Sequence, residues 1–453
     1  MVCASNKAVS LLASRFSQSS TRSTINAVLV GDERKLVQQG ETNDSPLRYM
    51  HTTMWREAMT HDYRSILRME SNTEGSRHLL VKLAKHLLHR TEGLKATLRR
   101  SEAVSSKVGK LALALDDDND FSFDVILSLV GSLLQDFSIL PSGALSKELV
   151  FSADLIFCTL STAGNSVVGG SREIDDLVVD EAAAATESEM YIPFRLEPKR
   201  LLIVGDPKQL PPAVFSRRAK MLGLASSLQE RMMNGCGHKY TMLNIQYRMH
   251  PEISAFPSRK LYNGLIANGS NTKEVRSSRW LDGRPYTFLQ VYGTEERPPN
   301  RKGGLRNPQE AALVVDLVQE LVGLRFQRDE NWNSSDRIRI ITFYKDQVSL
   351  IKKKLTEKGL DGVLVATVDS SQGCEADVVI LSFVRSNGGS SGFLRDDRRM
   401  NVAMTRARHQ LVCVGNMHYM SGLMDAPTLR SLCADAKSRK VAVPYQNRML
   451  QQL

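Results

Sequence analysis

Two carboxylates, Asp180 and Glu181, directly follow the apolar run Leu177-Val178-Val179. In a phosphoryl-transfer site, the first carboxylate would hold Mg²⁺, directly or through water, and the second would orient or deprotonate the attacking water. Most Asp-Glu pairs after a strand are solvated loop charges, so this pair is a poor indicator by itself. It favours a nucleotide site only together with other segments of the chain.

A second polar loop follows the apolar run Leu201-Leu202-Ile203-Val204, which we expect to be a buried strand. The loop runs from Gly205 to Pro212, and the amide of its Gln209 is suited to reading a terminal phosphate. Three prolines within the loop make it stiff, because proline fixes the backbone angle φ. The two loops together resemble the polar ends of neighbouring strands in an open α/β sheet, where ligands bind.

Arginines occur in two further segments, Gln246 to Pro251 and Asn401 to Arg408. An arginine that neutralises charge on a transferred phosphoryl group accelerates nucleotide hydrolysis by roughly 10³ to 10⁵. For either arginine segment alone, a surface or interdomain salt bridge is the alternative. Between them, Ala366 to Asp377 precedes the apolar run Val378 to Leu381, and Gly373 would let a backbone approach nucleotide or nucleic acid.

The sequence contains no Gly-x-x-x-x-Gly-Lys-Ser/Thr phosphate loop upstream of the carboxylates. In such a loop, backbone N–H groups and a lysine hold the phosphates, and a hydroxyl anchors Mg²⁺. We therefore expect this chain to bind ATP poorly and to hydrolyse it weakly or not at all.

The composition is that of a soluble enzyme with two to three domains: 453 residues, 42% hydrophobic and 24% charged. A net charge of +11 favours a polyanionic partner, because lysine and arginine release counterions from phosphates. The six cysteines form no Cys-x-x-Cys pair, which argues against a zinc site or a disulfide framework. No apolar run approaches the ~20 residues that span a bilayer, and no signal peptide is evident. We expect a soluble, intracellular protein without a membrane partner.

Hydrophobic periodicity separates the elements that must position these residues. Between residues 51 and 148 the leucines recur at helical spacings, whereas from residue 149 short apolar runs alternate with helical stretches, as in parallel-sheet α/β domains. The helical block is rich in basic residues, which form either a solvated helix face or a nucleic-acid-facing arm. These residues are Arg77, Lys82, Lys85, Arg90, Lys95, Arg99, Arg100, Lys107 and Lys110.

In this order and spacing, the segments resemble superfamily 1 helicases of the nonsense-decay-factor and senataxin type. Val2 to Val9 is similar to the first nucleic-acid-contact motif, and Cys158 to Ser161 to the later one. The remaining matches are Asp180 to Ala183 (Walker B), Gly205 to Pro212 (motif III), Gln246 to Pro251 (the tyrosine-arginine motif), Val368 to Asp377 (motif V) and Asn401 to Arg408 (motif VI).

The resemblance implies an α/β fold with two RecA-like parallel-sheet domains, the first incomplete and carrying an all-helical insertion. The expected segments are 1–50 and 149–230 for the first domain, 51–148 for the insertion, 231–424 for the second domain and 425–453 for a C-terminal tail. The two domains would close on ATP and Mg²⁺, with single-stranded RNA or DNA across their top. Hydrolysis in that family drives 5′-to-3′ translocation.

The resemblance also assigns roles to individual residues. Asp180 would be the Mg²⁺ ligand, Glu181 the catalytic base and Gln209 the γ-phosphate sensor, with Arg248 and Arg406 facing the phosphates. Tyr247 would stack on the nucleotide base, and Glu375 would contact the ribose or the phosphate end. The nucleic-acid track would be lined by Ser5, Asn6, Thr159 and Thr367.

Two departures from the family leave alternatives open. Ala184 stands where the family usually places a glutamine, and the strand and phosphate loop expected before Val2 are missing. The first sheet would then lack a strand near its centre and expose apolar surface. The chain is therefore an incomplete copy of an ATP-dependent helicase truncated before the Walker A motif, a short product that binds nucleic acid without hydrolysis, or a relic that does neither.

Overall fold

The computed structural model describes residues 2–3, 6–19, 25–36, 46–69, 73–92, 94, 102–116, 122–169, 173–273, 280–298, 304–326 and 337–444. The chain packs into two compact units. The first unit comprises Met1–Asp206 and Pro211–Gly237, and the second comprises Pro207–Leu210 and His238–Leu453.

A parallel sheet of five strands forms the centre of the first unit, in the order β2-β3-β1-β4-β5. Its strands are β1 (Val2–Cys3), β2 (Ala27–Leu29), β3 (Leu155–Thr159), β4 (Asp176–Asp180) and β5 (Arg200–Ile203). Parallel strands need long crossover connections, and helices supply them here. Every carboxyl end therefore lies at the same edge of the sheet, where polar loops follow.

An all-helical segment separates β2 from β3. Its longer helices are Trp55–Arg68, Glu74–Glu92, Glu102–Asp116, Phe123–Ile139 and Ser142–Ser152, preceded by Glu33–Leu36 and Pro46–Met50. Apolar side chains at helical spacing, among them Leu83, Leu87 and Ile126, are buried in one core with Trp55. The remaining helices of this unit are Asn6–Ser17, Leu160–Ala163, Ser166–Gly169, Glu187–Met190, Arg217–Met221 and Leu228–Glu230, with 3₁₀ turns at Ala182–Ala184 and Pro193–Leu196 and a π turn at Arg231–Gly235.

The basic residues of this helical segment do not share one solvated face. Arg90 is 5% exposed and donates a hydrogen bond from Nη1 to the carbonyl of Ala27 at 3.3 Å. Lys107 pairs with Asp136 at 2.7 Å, whereas Lys82 and Lys85 are exposed. Lys95, Arg99 and Arg100 lie outside the described residues. The described basic residues therefore belong to two different helices, Glu74–Glu92 and Glu102–Asp116, and differ in burial and in partners.

The expectation of a buried strand at Leu201 to Val204 is wrong. β5 pairs with β4 on one side and ends the described sheet, so Leu201 and Leu202 are 42% and 56% exposed. The five strands of the described sheet pair continuously. The exposed apolar surface expected from the sequence lies at this edge, because a terminal strand has no neighbour to cover it.

The second unit contains a parallel sheet of six strands in the order β10-β9-β11-β12-β8-β13 and a separate two-stranded sheet. The short pair is β6 (Ile245–Gln246) and β7 (Ala267–Asn268), and the large sheet is built from β8 (Tyr286–Gln290), β9 (Ile338–Thr342), β10 (Leu364–Thr367), β11 (Ala376–Ser382), β12 (Ala407–Gly415) and β13 (Ala442–Pro444). β11 and β12 are almost wholly buried, as expected of central parallel strands.

Helices cover the sheet of the second unit. They are Pro251–Leu261, Pro308–Phe326, Lys345–Thr356, Asp397–Met404, Met417–Ser421 and Pro427–Ser438, with 3₁₀ turns at Ser270–Lys273, Trp280–Gly283, Asp369–Ser371 and Gly392–Arg395.

Both expected boundaries of the second domain differ from the packing. Leu228 is buried in the core of the first unit, and Arg231 binds Glu187 there, so the first unit extends to Gly237. Residues 427–444 are not a separate tail, because Leu429 and Leu432 are fully buried in the core of the second unit and β13 pairs with β8.

In the part of the chain that the structure describes, no single helix is long and apolar enough to cross a membrane. One bent pair, Phe123–Ile139 with Gly143–Ser152, passes that test by length and composition only. The thiols of Cys158, Cys236, Cys374, Cys413 and Cys433 are free.

Candidate active site

The carboxyl edge of the first sheet brings together three of the predicted site residues, which are Asn6, Thr159 and Asp180. In the register of the strands, Cys3 lies opposite both Thr159 and Asp180, so these strand ends are level. Asn6 begins the helix that follows β1. Thr159 caps the next short helix, its Oγ1 accepting a hydrogen bond from the N–H of Thr162 at 3.2 Å. Ser5 lies outside the described residues.

The two carboxylates occupy a tight turn at the end of β4. Glu181 has φ 54° and ψ 33°, a left-handed conformation that non-glycine residues rarely adopt and that is common at functional sites. Its N–H donates to Asp180 Oδ1 at 2.9 Å, and the next N–H, of Ala182, donates to the carbonyl of Val204 at 2.9 Å. These bonds fix the orientation of Asp180 and couple the turn to the loop after β5.

Gly205 fits against this turn so closely that a side chain is excluded. A Cβ atom on Gly205 would lie 2.9 Å from the nitrogen of Ala183 and 3.0 Å from that of Ala182. Gln229 completes the contact, with Nε2 donating to the carbonyl of Gly205 at 3.0 Å. Gln229 thus holds the loop after β5, and the motifs of the sequence gave no signal for this contact.

In the second unit, Glu375 binds two arginines. Arg248 Nε donates to Glu375 Oε2 at 2.6 Å, and Arg408 Nη2 donates to the other carboxylate oxygen. Burial raises the pKa of Glu375, but the hydrogen bonds and charges of Arg408 and Arg248 outweigh it and lower the pKa to about 2. Arg248 also donates to the carbonyl of Thr405 at 3.1 Å. Glu375 therefore orients Arg248. The sequence led us to expect a contact of Glu375 with the ribose or the phosphate end and did not predict its bond to Arg248.

Arg406 and Gln209 meet in the same unit. Arg406 is 2% exposed, and its Nη2 donates to Gln209 Oε1 at 3.4 Å. Its other donors bind the carbonyls of Val402 at 3.0 Å and Cys374 at 3.3 Å. Asn401 holds the Gln209 loop, because its Nδ2 donates to the carbonyl of Lys208 at 2.8 Å. Backbone acceptors thus fix this guanidinium next to the Gln209 side chain.

The remaining predicted residues are placed separately in the second unit. Tyr247 is 63% exposed, and its ring lies against the backbone of Gly269, where a Cβ would come within 2.3 Å. Thr367 ends β10 and shares a hydrogen bond with Ser370 Oγ at 3.0 Å. His250 caps the helix Pro251–Leu261 through Nδ1, which accepts from the N–H of Glu252, and burial lowers the pKa of this histidine.

Two residues of this cluster were not assigned from the sequence. Arg408 lies two positions after Arg406 in the same segment. In a strand that begins at Ala407, side chains alternate between the two faces, and this alternation could have indicated that Arg408 lies on the face opposite the buried Ala407. Asn401, in the helix before β12, also belongs to the quoted segment, but its role depends on a contact with Lys208, which is distant in the sequence.

The donor set at the end of β4 fits a magnesium ion that arrives with a phosphate. Mg²⁺ prefers oxygen ligands and is usually held by one or two carboxylates together with substrate phosphates and water. Asp180 and Glu181 supply such carboxylates. No group of three or more His, Cys, Asp or Glu side chains among the described residues could hold a metal by itself.

Comparison with known proteins relates both units to one class. Family models described as an AAA domain match residues 1–217 and 224–418. Helicase sen1 of Schizosaccharomyces pombe is 35% identical over 303 residues, which are 65% of this chain and 18% of that protein. The regulator of nonsense transcripts 1 homolog of Arabidopsis thaliana is 37% identical over 290 residues, 61% of this chain and 22% of that protein. The chain thus spans about a fifth of the length of these relatives.

A solved structure titled as that of the PRRSV helicase is 18% identical and covers 61% of this chain and 41% of its own, with a TM-score of 0.32. This likeness is too low to carry an argument. Two parallel-sheet units, one ending in a carboxylate pair and the other in clustered arginines, define an α/β protein of the RecA-like class. Within that class, the chain belongs to the superfamily 1 helicases of the nonsense-decay-factor and senataxin type.

Proposed function

We propose that this chain carries the nucleotide-handling and strand-handling residues of an ATP-dependent helicase that acts on single-stranded RNA or DNA in the 5′-to-3′ direction. The observation that carries the proposal is the arginine cluster of the second unit, where Arg248, Arg406 and Arg408 surround Glu375 and Gln209. Three guanidinium groups fixed by hydrogen bonds suit an anionic substrate, since guanidinium geometry matches phosphate oxygens.

In the first unit, Asp180 would hold Mg²⁺ and Glu181 would accept the proton of the attacking water. The left-handed turn at Glu181 and the contact with Gly205 keep both carboxylates at one strand end. ATP, when bound, would supply the free energy of phosphoanhydride hydrolysis for translocation.

In the second unit, Arg406 and Arg248 would neutralise charge on the phosphates, and Gln209 would report the terminal phosphate through its bond to Arg406. Exposed Tyr247 offers a ring face for a base. Asn6, Thr159 and Thr367, with Ser5, would contact the nucleic-acid backbone, which gives little sequence preference. We further propose an intracellular location. We also propose the two-domain organisation expected from the sequence, with the first domain extended to Gly237 and residues 427–444 included in the second domain.

A second candidate function is nucleic-acid binding without hydrolysis. The sequence contains no phosphate loop, so backbone N–H groups and a lysine that would bind the β- and γ-phosphates are missing from it. The net charge of +11 still favours polyanions. We therefore expect the 453-residue chain to bind single strands while hydrolysing ATP weakly or not at all.

Single-strand-stimulated ATP hydrolysis, measured on the purified chain and on Glu181→Gln, tests the two candidates. We expect no hydrolysis above that of Glu181→Gln, together with single-strand binding that needs no ATP and weakens steeply as salt rises. Stimulated hydrolysis that Glu181→Gln abolishes would exclude the second candidate and show that another segment binds the phosphates. Absence of both hydrolysis and binding would reject both candidates.

A further inference from the structure

A cavity of about 760 Å³ lies in the first unit, between the helices Asn6–Ser17 and Glu74–Glu92 and the start of β2. Ten steps along the helix, from Asn6 to Phe16, separate it from the carboxyl edge of the sheet, a distance of about 15 Å. It is therefore distinct from the carboxylates and from Thr159.

One wall of the cavity is basic. The residues that form it come from a single helix and are His78, Lys82, Lys85, His86, His89 and Arg90. Most recur at three- and four-residue spacings, which places their side chains on one helix face. Among the described residues, none that lines the cavity is an aspartate or glutamate.

Lys82 and Lys85 carry most of the inference, because both are exposed. Among the described residues, no carboxylate lies within ion-pair distance of either ammonium group. Lys107, in the neighbouring helix, shows the contrast, since it pairs with Asp136 at 2.7 Å. Two lysines brought together without a counter-ion repel each other, and a bound anion would relieve that repulsion.

The rest of the lining is mainly apolar, with Phe16, Ile25, Met50 and Met59 beside Ser17 and Ser19. A low-dielectric wall beside charges of one sign concentrates the electric field inside a cleft and favours an ion of opposite sign. The volume lies within the range of small-molecule sites, roughly 300–1,000 Å³, and exceeds what a bare phosphate needs. The cavity thus combines an anion-binding wall with a surface for an apolar or aromatic body.

We propose that this cavity binds a phosphate-bearing nucleotide, either free or as one nucleotide of a single strand. Lys82 and Lys85 contact the phosphate, and the base lies against the apolar wall that contains Phe16. Proteins that bind single strands combine the same two features, a basic track for the backbone and apolar rings for the bases. This site is additional to the proposed ATP and strand-binding residues and does not depend on them.

Calorimetric titration of the full chain at low salt tests the proposal with four probes: uridine 5′-monophosphate, uridine, inorganic phosphate and a ten-nucleotide uridine strand. Lys82→Glu/Lys85→Glu is the test variant. Lys110→Glu/Lys147→Glu is the matched control, because it changes the net charge equally at exposed helical positions of the same unit outside the cavity. Val81→Trp is a third variant that fills the cavity without changing its charge.

We expect uridine 5′-monophosphate to bind more tightly than uridine or phosphate alone. The test variant should weaken that binding about tenfold or more, since two contacts between opposite charges become repulsive, while the control changes it less than about threefold. Competition by the ten-nucleotide strand would identify the ligand as part of a single strand, and failure to compete would identify a free nucleotide.

Three results would overturn the proposal: equal binding of uridine and its monophosphate, equal losses in the test and control variants, or unchanged binding in Val81→Trp. Circular dichroism and thermal unfolding establish that each variant is folded. Because Lys82 and Lys85 are exposed, their variant remains informative even if Val81→Trp fails to fold. None of these readouts requires ATP hydrolysis, so failure here is distinguishable from failure of the proposed helicase function.

Discussion

At the scale of single residues, Glu375 is the side chain that joins two arginines of the cluster, Arg248 and Arg408. Its two carboxylate oxygens bind different arginines, and its side chain is 19% exposed. A carboxylate held by two charges in a half-buried position contributes more than an ordinary surface ion pair. Arg248 binds both Glu375 and the carbonyl of Thr405. The position of the Arg248 guanidinium, which we propose binds phosphate, therefore depends on the charge of Glu375.

Glu375→Gln should destabilise the second unit in a pH-dependent way. The pKa of Glu375 falls from 4.5 to about 2 on folding, so its contribution is present above pH 4.5 and is lost as the pH falls toward 2. After allowance for solvent screening, we expect a loss of about 1–2 kcal/mol in unfolding free energy at pH 7. Denaturant unfolding between pH 7 and pH 3 measures it.

Glu296→Gln provides the control, because Glu296 forms an exposed ion pair with a single arginine, Arg306, at 2.7 Å. That variant should lose less than about 1 kcal/mol. A difference between wild type and Glu375→Gln that stays constant from pH 7 to pH 3 would contradict the assigned role of the carboxylate.

At the scale of elements, the ends of β4 and β5 function as one structure. The N–H of Ala182 binds the carbonyl of Val204, and Gly205 packs against the nitrogens of the same turn. β5 lies at an exposed edge, so this contact, and not burial in a core, holds its loop beside Asp180. The close approach explains why only glycine fits at position 205.

Gly205→Ala should therefore displace the turn that carries Asp180 and Glu181. The added methyl group would meet backbone nitrogens within 3.0 Å, and backbone yields less readily than the end of a side chain. We expect a loss of about 1–3 kcal/mol in unfolding free energy, measured by denaturant unfolding of the first unit.

The matched substitution is Gly143→Ala, where no atom lies within 4 Å of the new methyl group. It lies in the helix Ser142–Ser152 and should be neutral or slightly stabilising, since alanine favours helix over glycine. Equal stability of the two variants would mean that the turn accommodates a side chain.

At the scale of the whole molecule, each unit has hydrophobic cores of its own. Trp55, Leu83 and Ile126 belong to the first, whereas Phe288 and Leu381 belong to the second. Units with separate cores need not unfold together, and a single free energy of unfolding is then not defined for the chain.

Scanning calorimetry should resolve two unfolding transitions. Leu83→Ala and Leu381→Ala each remove a buried side chain, which costs about 2–5 kcal/mol in the unit concerned. Each variant should lower one transition temperature and leave the other unchanged, so the two variants serve as controls for each other. A single transition lowered by both variants would show that the units unfold cooperatively.

Much of this organisation was predictable from the sequence. The apolar runs before Asp180 and after Gly373 form parallel strands, and the leucine spacing between residues 51 and 148 forms helices, because local periodicity reflects which face is buried. The exposure of β5 was not predictable, since an apolar run looks the same in a central strand and an edge strand. The packing of residues 427–444 also depends on which surface of the second unit accepts them.

The sequence by itself determined the family, because the motif residues stand in a fixed order with chemically required types, and these are legible without coordinates. It also determined the α/β class, since strand and helix periods are local properties. Only the tertiary structure decided that Glu375 binds Arg248 and Arg408, that Gln229 binds the carbonyl of Gly205, and that the lysines of one helix line a cavity. These contacts join residues far apart in the chain, and their distances are set by packing, which no single segment encodes.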